Sequence, residues 1–211
     1  MYSGNTIAVL GGTSIIGTYI IKQLLISGYK IKILETTKSE LAINNDQISV
    51  VEGRADDYLS ILKLLEDSTT VINAVTAEDR FNPNNSFITS LVLKAAKNFD
   101  IKRYINVSDF LLELPEDRRS LRTRVFSHFK KLAYPRLADD LQKEYKLLLQ
   151  DNLNWTFVRC AAISEKPESN KIKTCSDDCP GKFIHPDSIA SFVVSLINDN
   201  TYVHKAPFVS N

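Results

Sequence analysis

A short glycine-containing segment near the start of the chain has the residue types and spacing needed to bind a phosphate. Gly11 and Gly12 follow an apolar run, Thr6–Leu10, and Gly17 lies near the start of a second apolar segment, Ile15–Ile26. A strand, a glycine turn and a helix in this order present backbone N–H groups and the positive end of the helix dipole to an anion. A turn with a purely structural role is the alternative. We predict that the segment binds a dinucleotide pyrophosphate through Gly11, Gly12, Thr13, Ser14, Ile15, Ile16 and Gly17.

Ser14 stands where the usual spacing has its middle glycine, which lets the pyrophosphate approach the backbone. Serine adds a Cβ and a hydroxyl group at this point. Two interpretations are open. The hydroxyl could hydrogen-bond a phosphate oxygen, or the Cβ could hold the phosphate away from the turn.

An acidic residue at the end of the second predicted strand bears on which dinucleotide is bound. Glu35 follows the glycine turn at about the distance of 20 residues at which a carboxylate binds the ribose hydroxyls of NAD. Its charge would repel a 2′-phosphate, so we predict NAD, with NADP as the alternative. Lys38 is a competing signal, because its ammonium group could meet that phosphate. A solvated strand end is the other interpretation of Glu35, and Thr36 is the neighbouring candidate contact.

Strand and helix patterns alternate along the chain and would position these residues. Alternation of this kind predicts βαβ units with right-handed crossovers and a parallel sheet. The fold class is therefore α/β, a doubly wound, Rossmann-like parallel sheet in one domain spanning residues 1–211. Segments 109–134 and 160–185 are expected to be substrate-side loops, and residues 164–211 to form a small C-terminal region. The predicted strands are Thr6–Leu10, Lys30–Glu35, Ile48–Glu52, Thr70–Ala74, Arg103–Val107, Trp155–Arg159 and Ala206–Val209, and the predicted helices are Ile15–Ser27, Tyr58–Asp67, Asn85–Phe99, Pro135–Gln150 and Pro186–Ile197.

Composition excludes several classes of function. The net charge of +1 gives no excess of positive charge for nucleic acid. No apolar run approaches the roughly 18 residues of a membrane span, so no membrane partner is expected. Three cysteines, an odd number, fit a reducing compartment, and we expect a cytoplasmic protein. Cys175 and Cys179 are interpreted as free loop thiols rather than part of a zinc site, and no metal is predicted.

A basic run lies between the fifth predicted strand and the helix that starts at Pro135. It contains Arg118, Arg119, Arg122 and Arg124, with acidic residues beside it. A solvated helix face is the ordinary interpretation of such a run. The alternative is that guanidinium groups grip a phosphorylated or carboxylated substrate.

Seven segments, in this order and spacing, carry a resemblance to a known family: Leu10–Gly17, Val51–Asp57, Val71–Thr76, Lys102–Ser108, Asn154–Cys160, His185–Ala190 and Pro207–Asn211. The chain resembles the atypical short-chain dehydrogenase/reductases, small NAD(P)-binding proteins related to extended epimerases and to flavin and quinone reductases. The resemblance implies an active-site serine at Ser108. It also implies cofactor contacts at Arg54, Ala55, Ala74, Val75, Thr76 and Val107.

The chain departs from this family at residues of the catalytic and cofactor sites. Catalytic members use Tyr-x-x-x-Lys, and this chain has no such pair. Tyr134 is the candidate acid, although Ala138 stands where the lysine would be, so no nearby cation lowers its pKa. Arg54 replaces the family's usual aspartate, and Cys160 its usual proline.

The expected function is that of an NAD(P)H-dependent oxidoreductase acting on a small-molecule acceptor. A non-catalytic dinucleotide sensor is the alternative, and loss of cofactor binding through Ser14 and Arg54 is a third. Whether the chain forms a homo-oligomer is left open.

Overall fold

The computed structural model describes residues 5–36, 45–75, 80–166 and 171–211. Two residues named above, Lys38 and Thr76, lie outside the described residues. The strands in chain order are β1 Thr6–Leu10, β2 Lys30–Glu35, β3 Ile48–Glu52, β4 Ser68–Asn73, β5 Arg103–Asp109, β6 Trp155–Cys160, β7 Ala162–Ile163, β8 Lys173–Cys175, β9 Phe183–Ile184 and β10 Phe208–Ser210. The helices are α1 Ile15–Ile26, α2 Tyr58–Leu65, α3 Asn85–Ala96, α4 Leu121–Ala133, α5 Pro135–Leu149 and α6 Pro186–Ser195.

The main sheet has eight strands in the order β3-β2-β1-β4-β5-β6-β10-β8. Every neighbouring pair is parallel except β10 and β8, which run antiparallel at the edge. The order reverses direction between β1 and β4, and this is the switch point where such sheets bind ligands. The predicted fold class, a Rossmann-like α/β sheet, is confirmed.

Both faces of the sheet are covered, because side chains alternate along each strand and both sets are apolar. On β1, Ile7 and Val9 belong to the core beneath α1 and α6, while Ala8 and Leu10 belong to the core beneath α2, α3 and α5. The faces of these strands are therefore buried, and a ligand can contact only the loops at their carboxyl ends. No helix of the described residues is long and apolar enough to cross a membrane.

Two segments expected to be mainly loops contain further elements. The stretch 109–134 includes the 13-residue helix α4. The C-terminal region adds β8 and β10 to the main sheet and forms the small sheet of β7 and β9. The expectation of loops at 109–134 was wrong because α4 buries a polar side, through Thr123 and Ser127, and leaves its apolar side exposed. That pattern is the inverse of the one that identifies an amphipathic helix packed on a core.

Candidate functional site

A cleft of about 950 Å³ lies at the carboxyl ends of the central strands, at the switch point of the sheet. Most predicted cofactor residues line it: Gly11, Thr13, Ser14, Ile15, Ile16, Glu35, Thr36, Arg54, Ala55, Val75 and Val107. Ser108, the predicted active-site serine, lines it as well. Gly12, Gly17 and Ala74 are not lining residues, although Gly17 and Ala74 contact the turn.

Two glycines allow the tight turn between β1 and α1. Gly11 has φ +72°, and a Cβ at this position would lie 2.6 Å from the Ala74 carbonyl oxygen. A Cβ at Gly17 would lie 2.0 Å from the Gly11 carbonyl oxygen. Both distances are far below van der Waals contact, so a side chain at either position would push the turn apart.

Ser14 is the N-cap of α1, and this resolves the role of its hydroxyl group. The Ser14 Oγ accepts a hydrogen bond from the Gly17 amide at 2.9 Å and donates one to the Ala74 carbonyl at 3.2 Å. The hydroxyl therefore stabilises the turn. The next two amides, those of Ile15 and Ile16, have no acceptor among the described residues. Both residues line the cleft, so it contains a helix N-terminus with unsatisfied N–H donors, which is an arrangement that binds phosphate.

The end of the cleft beside β2 and β3 carries both acidic and basic side chains. Glu35, at the end of β2, is only 5% exposed and lines the cleft. Arg54 lies largely in solvent, and its guanidinium pairs with Asp56 through bonds of 2.7 and 2.8 Å. That hydrogen bonding lowers the pKa of the Asp56 carboxyl. Because Arg54 is held by Asp56 at the rim, its replacement of the family's aspartate leaves the glycine turn intact.

The opposite end of the cleft lies at the carboxyl ends of β5 and β6. Ser108 lines it with Lys130, a residue of α4 that the sequence interpretation did not single out. The Lys130 ammonium lies 2.5 Å from an Asp109 carboxylate oxygen and 4.5 Å from the centre of the Phe110 ring. Phe126, one turn earlier on α4, lines the same cleft. The four-residue spacing of Phe126 and Lys130 is the signal that could have placed both on one face of a helix.

Tyr134 does not line the cleft. Its ring packs against Phe81, with ring centres 5.4 Å apart, and lies beneath the Arg80 guanidinium at 5.5 Å. The side chains that α5 presents to the cleft are Leu137 and Leu141, which carry no acid. This geometry gives Tyr134 no support as the proton donor.

The four arginines of the basic run have different surroundings. The expectation that the run forms a solvated helix face was wrong for Arg119. The Arg119 side chain is 4% exposed and forms ion pairs with Asp117 and Glu113, at 3.0 and 3.3 Å. Arg118 and Arg124 are exposed. Arg122 donates to the Cys179 carbonyl at 2.8 Å.

The cysteines are free thiols. Cys175 donates to Asp177 at 3.0 Å, and Cys179 donates to the Gly181 carbonyl at 3.2 Å. The described residues contain no group of three or more His, Cys, Asp or Glu side chains placed to hold a metal ion.

The fold and this cleft define a Rossmann-type nucleotide-binding protein. A family model described as NAD(P)H-binding matches residues 11–200. The chain therefore belongs to the NAD(P)H-binding family, and binding of NAD(P) is the property that it shares with that family.

Individual relatives are more distant. A stretch of 133 residues is 27% identical to the rat mitochondrial NADH dehydrogenase [ubiquinone] 1 alpha subcomplex subunit 9, covering 58% of this chain and 35% of that protein. The chain thus spans about a third of the length of this curated relative. The fold is similar to that of a Veillonella parvula short-chain dehydrogenase/reductase in complex with NADP, with TM-score 0.80, 15% identity and coverage of 98% and 94% of the two chains. It is also similar to ChuY, an anaerobillin reductase from Escherichia coli O157:H7, with TM-score 0.79, 14% identity and coverage of 98% and 97%.

Proposed function

We propose that the protein is an NAD(P)H-dependent oxidoreductase that reduces a small-molecule acceptor. The observation that carries this proposal is the continuity of one cleft. It joins the unsatisfied amides of Ile15 and Ile16 to Ser108 and Lys130 at its other end. The same space can therefore hold a phosphate at one end and expose a reacting group to a hydroxyl and an ammonium at the other.

The residues of the cleft fit the proposed cofactor. The Ile15 and Ile16 amides would bind its pyrophosphate, and Gly11 lets the backbone turn closely beneath it. Glu35 would accept hydrogen bonds from the adenosine ribose. Its negative charge favours NAD over NADP, because a 2′-phosphate would bring like charges together.

At the reacting end, the cofactor when bound supplies a hydride to the acceptor, which also takes up one proton. The Ser108 hydroxyl is placed to donate a hydrogen bond to an acceptor oxygen. The Lys130 ammonium puts a positive charge on the same wall, where negative charge develops as that oxygen is reduced. Leu137 and Leu141 add apolar surface to the lining of the cleft. No cleft-lining tyrosine supplies the proton among the described residues, so it comes from solvent.

The first test is a calorimetric titration with NADH and NADPH, followed by cofactor oxidation with carbonyl, quinone and flavin acceptors. Binding followed by turnover on at least one acceptor class is expected. Tight binding without turnover on any of them would overturn the proposal in favour of a dinucleotide sensor, and NADPH binding at least tenfold tighter than NADH binding would overturn the role given to Glu35.

The second test is Ser108→Ala. We expect kcat to fall by about one to two orders of magnitude, with cofactor affinity nearly unchanged, since the hydroxyl acts only at the reacting end. Ser90→Ala, on α3 and not among the residues lining the cleft, is the matched control. Unaltered turnover in Ser108→Ala would remove Ser108 from this role.

A further inference from the structure

A second pocket, of about 610 Å³, lies directly beside the cofactor cleft. Phe126, Ala161 and Ala162 line both cavities, so the two adjoin at these residues. The lining of the second pocket is predominantly apolar and includes four phenylalanines, Phe110, Phe126, Phe129 and Phe183. Its size and its apolar character are those of sites that bind small organic molecules.

The exposed apolar side of α4 forms one wall of this pocket. Leu121 is 78% exposed and Phe129 66%, and Val125 lies between them on the same side. Folding does not require this exposure, because the core is sealed by other elements and the inward side of α4 is polar. Apolar side chains gathered at the mouth of one pocket, rather than scattered over the surface, indicate a bound apolar partner.

Two cationic side chains line the same pocket from different parts of the chain. Arg122 comes from α4, and Lys182 from the residue before β9. Among the described residues that line the pocket, none is acidic. The nearby Asp178 does not line the pocket, and its carboxyl accepts hydrogen bonds from the Cys179 amide at 2.8 Å and from the Thr123 and Ser120 side chains. An apolar ligand in this pocket would therefore place an anionic group against Arg122 and Lys182.

We propose that this pocket is the acceptor site, and that the acceptor is an aromatic ring system bearing a carboxylate, sulfonate or phosphate. The proposal rests on the proposed function, because the pocket would hold the ring system and its anionic group while the reducible group extends past Phe126 into the cofactor cleft beside Ser108. Aromatic walls favour a flat aromatic ligand through ring contacts. Arg122 is the specificity-determining residue, since one guanidinium N–H is used on Cys179 and the remaining donors can bind an anion.

Binding of a matched pair of probes tests the proposal without turnover. Anthraquinone-2-sulfonate and the uncharged 2-(hydroxymethyl)anthraquinone are titrated calorimetrically into the full chain, with NADH binding measured alongside. We expect the sulfonate to bind about tenfold or more tightly than its neutral counterpart. Arg122→Gln should remove that advantage and leave the affinity of the neutral probe and of NADH unchanged.

Three further variants test whether the effect is specific to the residues that line the pocket. Phe129→Ala should weaken both probes, whereas Arg124→Gln and Leu132→Ala, on the same helix but not lining the pocket, should weaken neither. Equal affinity for the two probes, or an equal loss in Arg124→Gln, would overturn the proposal.

The two proposals fail in different ways. If the sulfonate binds as expected but NADH is never oxidised by any acceptor, the pocket stands as a ligand site and the reductase does not. If NADH is oxidised by acceptors with rates that Arg122→Gln and Phe129→Ala leave unchanged, the reductase stands and this pocket is not its acceptor site.

Discussion

The glycine turn between β1 and α1 depends on contacts at single residues. Gly17 lies against the Gly11 carbonyl so closely that α1 can leave the turn only without a side chain there. The glycine therefore acts through packing between the turn and the helix, and it helps to position the Ile15 and Ile16 amides in the same first turn of α1.

Gly17→Ala should weaken cofactor binding by at least tenfold, because α1 must shift away from the turn to admit the methyl group, at a cost of about 1–3 kcal/mol. Titration calorimetry with NADH and urea unfolding measure the two effects. Gly28→Asn is the control, since nothing lies within 4 Å of a Cβ there and asparagine tolerates its φ of +78°. Wild-type affinity in Gly17→Ala would contradict this account of the turn.

Glu144 is a buried acid within the core beneath α3 and α5. One carboxyl oxygen accepts from the Thr89 hydroxyl at 2.7 Å, and the other has no hydrogen-bond partner among the described residues. Burial, with a smaller contribution from the Asp140 carboxylate, raises the pKa of Glu144 to about 7 in spite of hydrogen bonds from Thr89 and Asn106, which lower it. The folded protein therefore retains a proton that the unfolded chain releases above its ordinary pKa of 4.5.

The free energy of unfolding should fall as pH rises from about 4.5 to about 7 and should remain lower above that window. Glu144→Gln cannot ionise, so between pH 5 and pH 8 it should lose less stability than the wild type, by on the order of 1–3 kcal/mol. Urea unfolding at both pH values measures this difference. The same pH dependence in both proteins would show that Glu144 does not ionise in this window.

At the scale of elements, α1 and α4 show two ways in which a helix serves the cleft. α1 begins at a serine cap, so its next two amides remain available to a ligand. α4 contacts the rest of the protein through polar side chains, such as Lys130 in its ion pair with Asp109, and its apolar side lines the second pocket. In both helices, the end or side left unsatisfied by the fold is the one that faces a cavity.

Substitutions at Ser14 should separate capping from ligand binding. Ser14→Ala loses the cap and should destabilise the protein by about 1 kcal/mol. Ser14→Asp keeps an N-cap acceptor but loses the hydrogen bond to the Ala74 carbonyl and sets a carboxylate beside the phosphate, so cofactor affinity should fall at least tenfold, by more than in Ser14→Ala. Thermal unfolding and titration calorimetry measure the two properties. Unchanged affinity in Ser14→Asp would place the phosphate elsewhere in the cleft.

At the scale of the whole molecule, Arg159 ties the C-terminal region to the first part of the chain. Its side chain is 0% exposed, pairs with Asp117 at 2.8 Å and donates to the Ala206 and Ser176 carbonyls. The guanidinium also lies 3.6 Å from the centre of the Phe208 ring. The buried Arg159 guanidinium thus connects β6 with the segment before α4 and with β10, the strand next to the edge strand β8.

Asp117→Asn should lower the free energy of unfolding by about 3–5 kcal/mol, because it leaves the buried Arg159 charge uncompensated. Asp100→Asn is the matched control, since its ion pair with Lys102 lies in solvent and should contribute less than about 1 kcal/mol. Chemical denaturation of both variants decides the point. Equal, small effects would mean that other groups compensate the charge of Arg159.

Local pattern determined most of the fold. The apolar runs of β1 to β6 and the helical spacing of α1, α2, α3, α5 and α6 are readable within ten or so residues, because alternation and helical periodicity are properties of neighbours in sequence. The glycine turn and the position of Ser108 at the end of β5 follow from the same local signals. So does the order of the segments on which the family resemblance rests.

The rest depends on contacts between residues far apart in the sequence, and only the tertiary structure decided it. Asp117 and Arg159 pair across 42 positions, which no local pattern records. The inward side of α4 is polar and contacts Asp109, Glu113 and Arg119. Its sequence therefore resembles that of a solvated segment. By itself the sequence therefore determined a dinucleotide-binding fold, and it predicts that the glycine turn binds the phosphate. The tertiary contacts decided that Ser14 caps a helix, that Tyr134 is not a cleft-lining residue, and that Lys130 lines the cleft with Ser108.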